Sequence, residues 1–253
     1  MLKTGHHLSN EEIREGYEAL THRGDLGQEF LRRVLSLAGS LDGLKILDIG
    51  CGKGALLAEI ALRQENCDLY GVDFSFSSLQ EASYRLATDA ALLAADIQAL
   101  PFPENFFDRI FCTETLEHLK YPEGCLQELT RLLKSDGAAI VTIPNATGFT
   151  PFHVLGPFIH GRWLRSKLLP YEHPSNTDQP IDTCYVYDEI VELMRAGGFK
   201  IDAIEGYRYF RYLQMLPVVR NMYRSIYPLV ERLLPKIKGV RFAYNLLLRC
   251  SKA

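Results

Sequence analysis

The stretch LKILDIGCGKGALL, residues 44–57, decides the fold. It opens as a short apolar run. It then passes through a glycine cluster, Asp48-Ile49-Gly50-Cys51-Gly52-Lys53-Gly54, and continues with the apolar spacing of a helix. That is the pattern of a buried strand feeding a helix. Glycines are needed at such a turn because the backbone reverses sharply and a ligand must approach with no Cβ in the way. In an open α/β sheet the crevice beyond the first strand is the usual ligand site.

Outward from this turn the same rhythm repeats. Apolar runs at 68–73, 90–96, 106–114, 137–144 and 200–207 read as strands. Residues 76–87, 123–134 and 187–199 read as helices, the last ended by Gly197 and Gly198. Strands alternating with helices predict an α/β domain with a doubly wound, mostly parallel sheet and right-handed crossovers. Upstream, 9–22 and 26–38 form two helices within an N-terminal segment 1–40. Residues 145–183 carry five prolines, three histidines and the only tryptophan, Trp163, and read as an inserted cap. A second, helical insertion at 207–240 is broken by Pro217, Pro228 and Pro235. The final run FAYNLLLRC, 242–250, is the last strand, and residues 1–253 read as a single domain.

The composition, 47% hydrophobic and 23% charged, is that of an ordinary globular protein. No apolar core of signal-peptide length stands at the N-terminus, and no stretch approaches a membrane span. The six cysteines form no C-x-x-C pair and read as reduced thiols of a cytoplasmic protein. Residues 205–253 hold ten Lys/Arg against two acids, a charge of +8, while the rest carries −11. That split predicts that the C-terminal part meets something the rest does not.

Three acids sharpen the reading of the glycine turn. Asp73 ends the second strand, where a carboxylate can accept both ribose hydroxyls. Asp96 ends the third strand, where it can accept from an adenine amino group. Asp48 puts a negative charge beside the turn, which suits a cationic ligand better than a pyrophosphate. With Ala55 the turn also fits a dinucleotide fingerprint, so a nicotinamide-dependent dehydrogenase stands as a rival.

The stretches LDIGCGKGALL, GVDFS, AADIQALPFPENFFDRIFCTETLEHL and LKSDGAAIVTIPN together resemble the successive motifs of class I S-adenosylmethionine-dependent methyltransferases. The nearest likeness is the subgroup of ubiquinone- and menaquinone-biosynthesis enzymes. The resemblance implies a seven-stranded sheet with an antiparallel last strand. It also implies S-adenosyl-L-methionine as cofactor and S-adenosyl-L-homocysteine as product. Asp48 would orient the methionine amino group, and Gly50, Cys51, Gly52 and Gly54 would approach the methionyl part. Asp73 would bind the ribose with Phe74 against the adenine, Asp96 and Ile97 would hold the adenine, and Thr113 would present its backbone to the amino-acid end.

For the chemistry, His118 is the first candidate base, with His153 and His173 from the cap beside it. His160, Trp163 and Tyr171 are further pocket candidates, and Tyr17 on the first helix is placed to cover the cofactor. The string Glu114-x-x-Glu117-His118 also resembles the metal-binding segment of some RNA and ubiquinone O-methyltransferases. A divalent metal there is a secondary reading, and the matching downstream stretch IDTCYVYDE lacks the further histidine of the RNA enzymes. Residues 207–240 mix Leu, Tyr and Met with Arg and Lys, which predicts contact with an anionic membrane, a substrate funnel or extra core. Nucleic acid is a poorer partner for a chain that is acidic overall. The expectation is O-methylation of a hydrophobic or lipid-linked small molecule. A soluble natural-product or sugar methyltransferase and a catalytically silent S-adenosylmethionine-binding scaffold are the alternatives.

Overall fold

The computed structural model describes residues 2–4, 7–19, 26–63, 66–86, 90–146, 180–209, 225–230, 232–233 and 239–253. Most of the expected cap and of the basic insertion, with His153, His160, Trp163, Tyr171 and His173, lies outside them.

Seven strands form one sheet. They are β2 (Lys45–Ile49), β3 (Asp68–Asp73), β4 (Ala91–Ala94), β5 (Phe107–Thr113), β6 (Leu133–Pro144), β8 (Phe199–Tyr209) and β9 (Ala243–Lys252). Their order is β4-β3-β2-β5-β6-β9-β8, parallel except for β9, which runs against both neighbours. Side chains alternate along each strand, so both faces must be covered. Leu47, Ile49, Ile110, Cys112 and Val141 pack with α5 (Pro122–Leu132) and α6 (Tyr187–Ala196). Ile46, Phe111, Ile140 and Leu247 pack on the other face with α2 (Gln28–Ala38), α3 (Ala55–Arg63) and α4 (Phe76–Arg85). Gly71 lets that second layer sit close, since a Cβ there would meet Leu57 and Leu92 at 2.8 Å.

The element boundaries shift slightly from the sequence reading. The expected helix 123–134 starts at Pro122 and ends at Leu132, and β6 begins at once with Leu133, whose partner is Phe107. The first helix, α1, is Asn10–Ala19. Ser9 and Glu12 cap it reciprocally, Glu12 N–H donating to Ser9 Oγ at 3.2 Å and Ser9 N–H to Glu12 Oε2 at 2.7 Å. A small second sheet was not foreseen: β1 (Leu2–Thr4) pairs antiparallel with β7 (Asp182–Cys184). Three-residue strands carry no periodicity, and this pairing spans most of the chain.

The loop from β4 to β5 is held by one ion pair. Glu128 on α5 is 8% exposed and accepts from Leu100 N–H at 2.8 Å. Arg131 donates to both Glu128 oxygens and to the carbonyls of Leu100 and Phe102. Arg131 chiefly holds the Glu128 carboxyl below its usual range. Replacing Glu128 by Ala removes the charged acceptor of Leu100 N–H and the partner of Arg131, an expected loss of about 1.5–3 kcal/mol in urea unfolding. The contribution is complete above the unfolded carboxyl value, about 4.3, and fades as pH falls through the lower folded value. The difference between the unfolding curves of the two proteins is thus expected to begin shrinking below about pH 4.3 and to close only as pH falls through the lowered folded value.

Candidate functional site

The strand order reverses between β2 and β5, and the crevice at their carboxyl ends is where such sheets take ligands. A cleft of about 290 Å³ opens there. Gly50, Asp73, Phe74, Asp96, Ile97 and Gln98 line one end. Glu114, Thr115, His118, Lys120 and Ile181 line the other, under Ile13 and Tyr17 of α1.

The glycine turn is built to let something in. Gly50 and Cys51 donate to Val72 O at 2.8 and 3.0 Å, prolonging the β2–β3 ladder before the chain reverses. Gly50 has φ +68, and a Cβ on it would lie 2.5 Å from Thr115 Oγ1. Gly52 has φ +51, and a Cβ there would meet nothing within 4 Å, so the space in front of it is open. Gly54 packs under α4, its Cβ direction 3.0 Å from Ala82. Cys51 is 7% exposed, and its thiol packs near Gly71 rather than lining the cleft. Burial pushes that thiol up from its ordinary range.

Acids surround this turn. Asp73 accepts from Gly52 N–H at 2.8 Å and from Ser75 N–H at 2.9 Å, one bond to each oxygen. Its carboxylate is therefore fixed across the crevice, where ribose hydroxyls can donate to it. Asp96 accepts from Gln98 N–H at 3.0 Å, which holds it two residues past the end of β4 beside Ile97. Asp48 is 1% exposed, and its Oδ1 has no hydrogen-bond partner among the described residues. Burial, with the charge of Asp73 adding to it, pushes the Asp48 carboxyl well up. A buried acid with an unmatched oxygen and an open glycine face fit a ligand that brings an ammonium group. Asp73, Asp96 and Glu114 on the cleft wall face a single lysine, Lys120. That balance disfavours the pyrophosphate of a dinucleotide and favours a cation.

At the other end the structure differs from the sequence reading. Thr113 is 7% exposed and does not line the cleft; its carbonyl accepts from Thr115 Oγ1 at 3.0 Å. β5 ends at Thr113 and the chain turns at Glu114, so the next two residues reach the crevice instead. Glu114 takes φ +51. For a side chain of this kind that backbone costs about 1–3 kcal/mol and tends to persist only where the surroundings over-determine it. Its N–H donates to Thr142 O and Oγ1, and its carboxylate accepts from Thr142 Oγ1 at 3.0 Å and Asn245 Nδ2 at 3.1 Å. Thr142 and Asn245 were missed in the sequence. Each is a lone polar residue inside an apolar strand and almost fully buried, which is a signal the sequence does carry.

His118 lies in a 3-10 turn, Leu116–His118, and its Nδ1 is 3.0 Å from Ile181 O. Tyr17 Oη donates to the carbonyls of His118 and Ile181, both at 3.3 Å, and Lys120 Nζ donates to Leu8 O at 2.9 Å. These bonds fasten α1 as a roof over the cleft. Glu117 is 2% exposed, with Oε1 3.7 Å from His118 Nε2. Glu114 turns to Thr142 and Asn245 while His118 turns to Ile181. Among the described residues no three of His, Cys, Asp or Glu are grouped to hold a metal.

Replacing Asp73 by Ala removes the carboxylate that spans the turn. S-adenosyl-L-homocysteine binding, measured by calorimetry, is expected to weaken by about 1.5–3 kcal/mol. Unchanged affinity would place the ribose elsewhere.

Residues 47–141 match the family model described as a methyltransferase domain. The demethylmenaquinone methyltransferase of Renibacterium salmoninarum is 26% identical over 188 residues, 74% of each chain. The ubiquinone biosynthesis O-methyltransferase of Escherichia coli (strain CFT073) is 30% identical over 158 residues, 56% of this chain and 65% of that one. The chain spans about two-thirds or less of the ubiquinone-pathway relatives, down to 50% for that of Alkalilimnicola ehrlichii. In fold, a methyltransferase-like structure from Bacillus halodurans superposes with a TM-score of 0.58 at 13% identity, covering 88% of this chain and 99% of the other. The glycine turn, the acids beside the strand ends and these likenesses agree: residues 47–141 are a methyltransferase domain, similar to the quinone-biosynthesis subgroup of the class I S-adenosylmethionine-dependent methyltransferases, with S-adenosyl-L-methionine as the cofactor the site fits.

Proposed function

We propose that this protein methylates an oxygen of a hydrophobic or lipid-linked small molecule. The observation that carries the reading is the two-ended cleft. One end is acidic and shaped for a nucleoside, while Ile13, Tyr17, Leu119 and Ile181 give the other an apolar wall. The name O-methyltransferase borne by the E. coli relative favours oxygen.

The cofactor supplies an electrophilic methyl group on a sulfonium. The residues of this chain bind and orient. Asp73 accepts from the ribose, Asp96 accepts from the adenine amino group with Ile97 and Phe74 alongside, and Asp48 offers its unmatched Oδ1 to the ammonium. The α1 roof covers the cleft, and holding the reacting atoms in line is most of what such a displacement requires. Label from methyl-labelled S-adenosylmethionine is expected in the organic phase of a treated membrane extract. Label confined to the aqueous phase would favour a soluble natural-product or sugar acceptor. Homocysteine-analogue binding without any transfer would mean a silent cofactor-binding protein.

The same reading includes a cytoplasmic protein lying against an anionic membrane. Among helical residues 225–230 and 232–233, Ile226, Leu229 and Leu233 are 44%, 56% and 44% exposed. Ile226 and Leu229, three residues apart in one described helical stretch, share a face, within the segment of +8 charge. No helix among the described residues is long and apolar enough to cross a membrane. The protein is expected to co-float with phosphatidylglycerol vesicles, not with phosphatidylcholine vesicles, and to lose this in Leu229→Glu. Equal flotation with both lipids would remove the role of charge.

A further inference from the structure

The geometry points to Glu114 as the group that receives the acceptor's hydroxyl and takes its proton, with Thr142 and Asn245 as the pair that position it. The inference rests on the O-methylation reading above. Asp73 and Asp96 serve the nucleoside and Asp48 the ammonium, so Glu114 is the carboxylate of the cleft wall with no task assigned. It stands at the carboxyl end of β5, beside Thr115 and below the apolar roof, where an acceptor would enter.

Its placement is enforced from three strands. β5 delivers it. Thr142 of β6 holds both its N–H and its carboxylate. Asn245 of β9 donates to both of its oxygens at 3.1 Å. Thr142 is 0% and Asn245 1% exposed, so neither can swing away, and Glu114 keeps its left-handed backbone. A mere surface turn would hold glycine or asparagine at such a φ. A glutamate there, gripped by two buried polar side chains, is an arrangement that costs stability and fixes one carboxylate against the cleft. His118 lines the same cleft with its Nδ1 3.0 Å from Ile181 O, and wild-type transfer in Glu114→Gln would leave it as the base.

In the step itself the acceptor oxygen bonds the methyl carbon as the carbon–sulfur bond breaks, its pair going to sulfur. The hydroxyl O–H bond breaks, its pair stays on oxygen, and the proton passes to the Glu114 carboxylate. That proton later leaves to solvent, so one proton is released per methyl group transferred.

The test uses the whole chain and the labelled-methyl transfer into membrane extract. Glu114→Gln keeps the shape and removes the base. Glu114→Gly removes it while suiting the φ of +51, and its cofactor binding reports that the fold is kept. Both are expected to bind S-adenosyl-L-homocysteine within about threefold of wild type while transfer slows by roughly 10²–10⁴. Thr142→Ser, which keeps the hydroxyl, is expected to retain the rate, and the isosteric Thr142→Val to lose about tenfold or more with cofactor affinity unchanged. Wild-type transfer in Glu114→Gln overturns the inference. So does a fall in cofactor affinity that matches the fall in rate, which would make Glu114 a cofactor ligand. If wild type binds the cofactor analogue but transfers no label, the reading above fails and takes this one with it.

Discussion

The hydrogen bond from Gly52 N–H to the Asp73 carboxylate, with Ser75 N–H on its other oxygen, joins the turn after β2 to the turn after β3. Everything at the nucleoside end depends on that bridge. It spaces the two turns, aims one carboxylate across the crevice and leaves the bare face of Gly52 open. The sheet beneath is buried on both faces and supplies rigidity. A side chain at Gly50 would drive into Thr115, so the first glycine is set as much by β5 as by the ligand. The cleft is thus a product of two strand ends that must diverge and yet remain in contact.

The other end is organised by bonds that cross the chain. His118, Tyr17 and Ile181 meet through two carbonyls, so α1 and the lead-in to β7 are fastened to the turn after β5. β1 and β7 pair alongside. The roof therefore stands or falls with the N-terminal segment. The antiparallel β9 plays a matching part from below. Arg249 donates to the carbonyls of Leu37 and Ala38, closing the C-terminal end of α2, and Asn245 on the same strand reaches Glu114. A cation at a helix C-terminus is favoured there by the helix dipole.

Much of this was legible in the sequence because it rests on local pattern. The run LDIGCGKG gave a strand, a turn and a helix start, and Asp73 closes β3 while Asp96, expected to close β4, stands two residues past its end at Ala94. What escaped is non-local. The β1–β7 pairing joins residues about 180 positions apart, and no periodicity announces it. Thr113 was assigned to the site when Glu114 and Thr115 reach it, since the exact residue at which a strand ends depends on the partner strand, here through Thr142. Asn245 gave a signal, a single amide inside FAYNLLLRC, but only the antiparallel register with β6 shows what it faces.

The most direct test of the central claim is the amide spectrum of the ¹⁵N-labelled protein during titration with S-adenosyl-L-homocysteine. If the switch-point crevice is the cofactor site, the signals of Gly50, Gly52, Asp73, Asp96 and Ile97 shift together and saturate, while those of α5 and α6 stay in place. Shifts centred elsewhere, or none at saturating ligand, would contradict it.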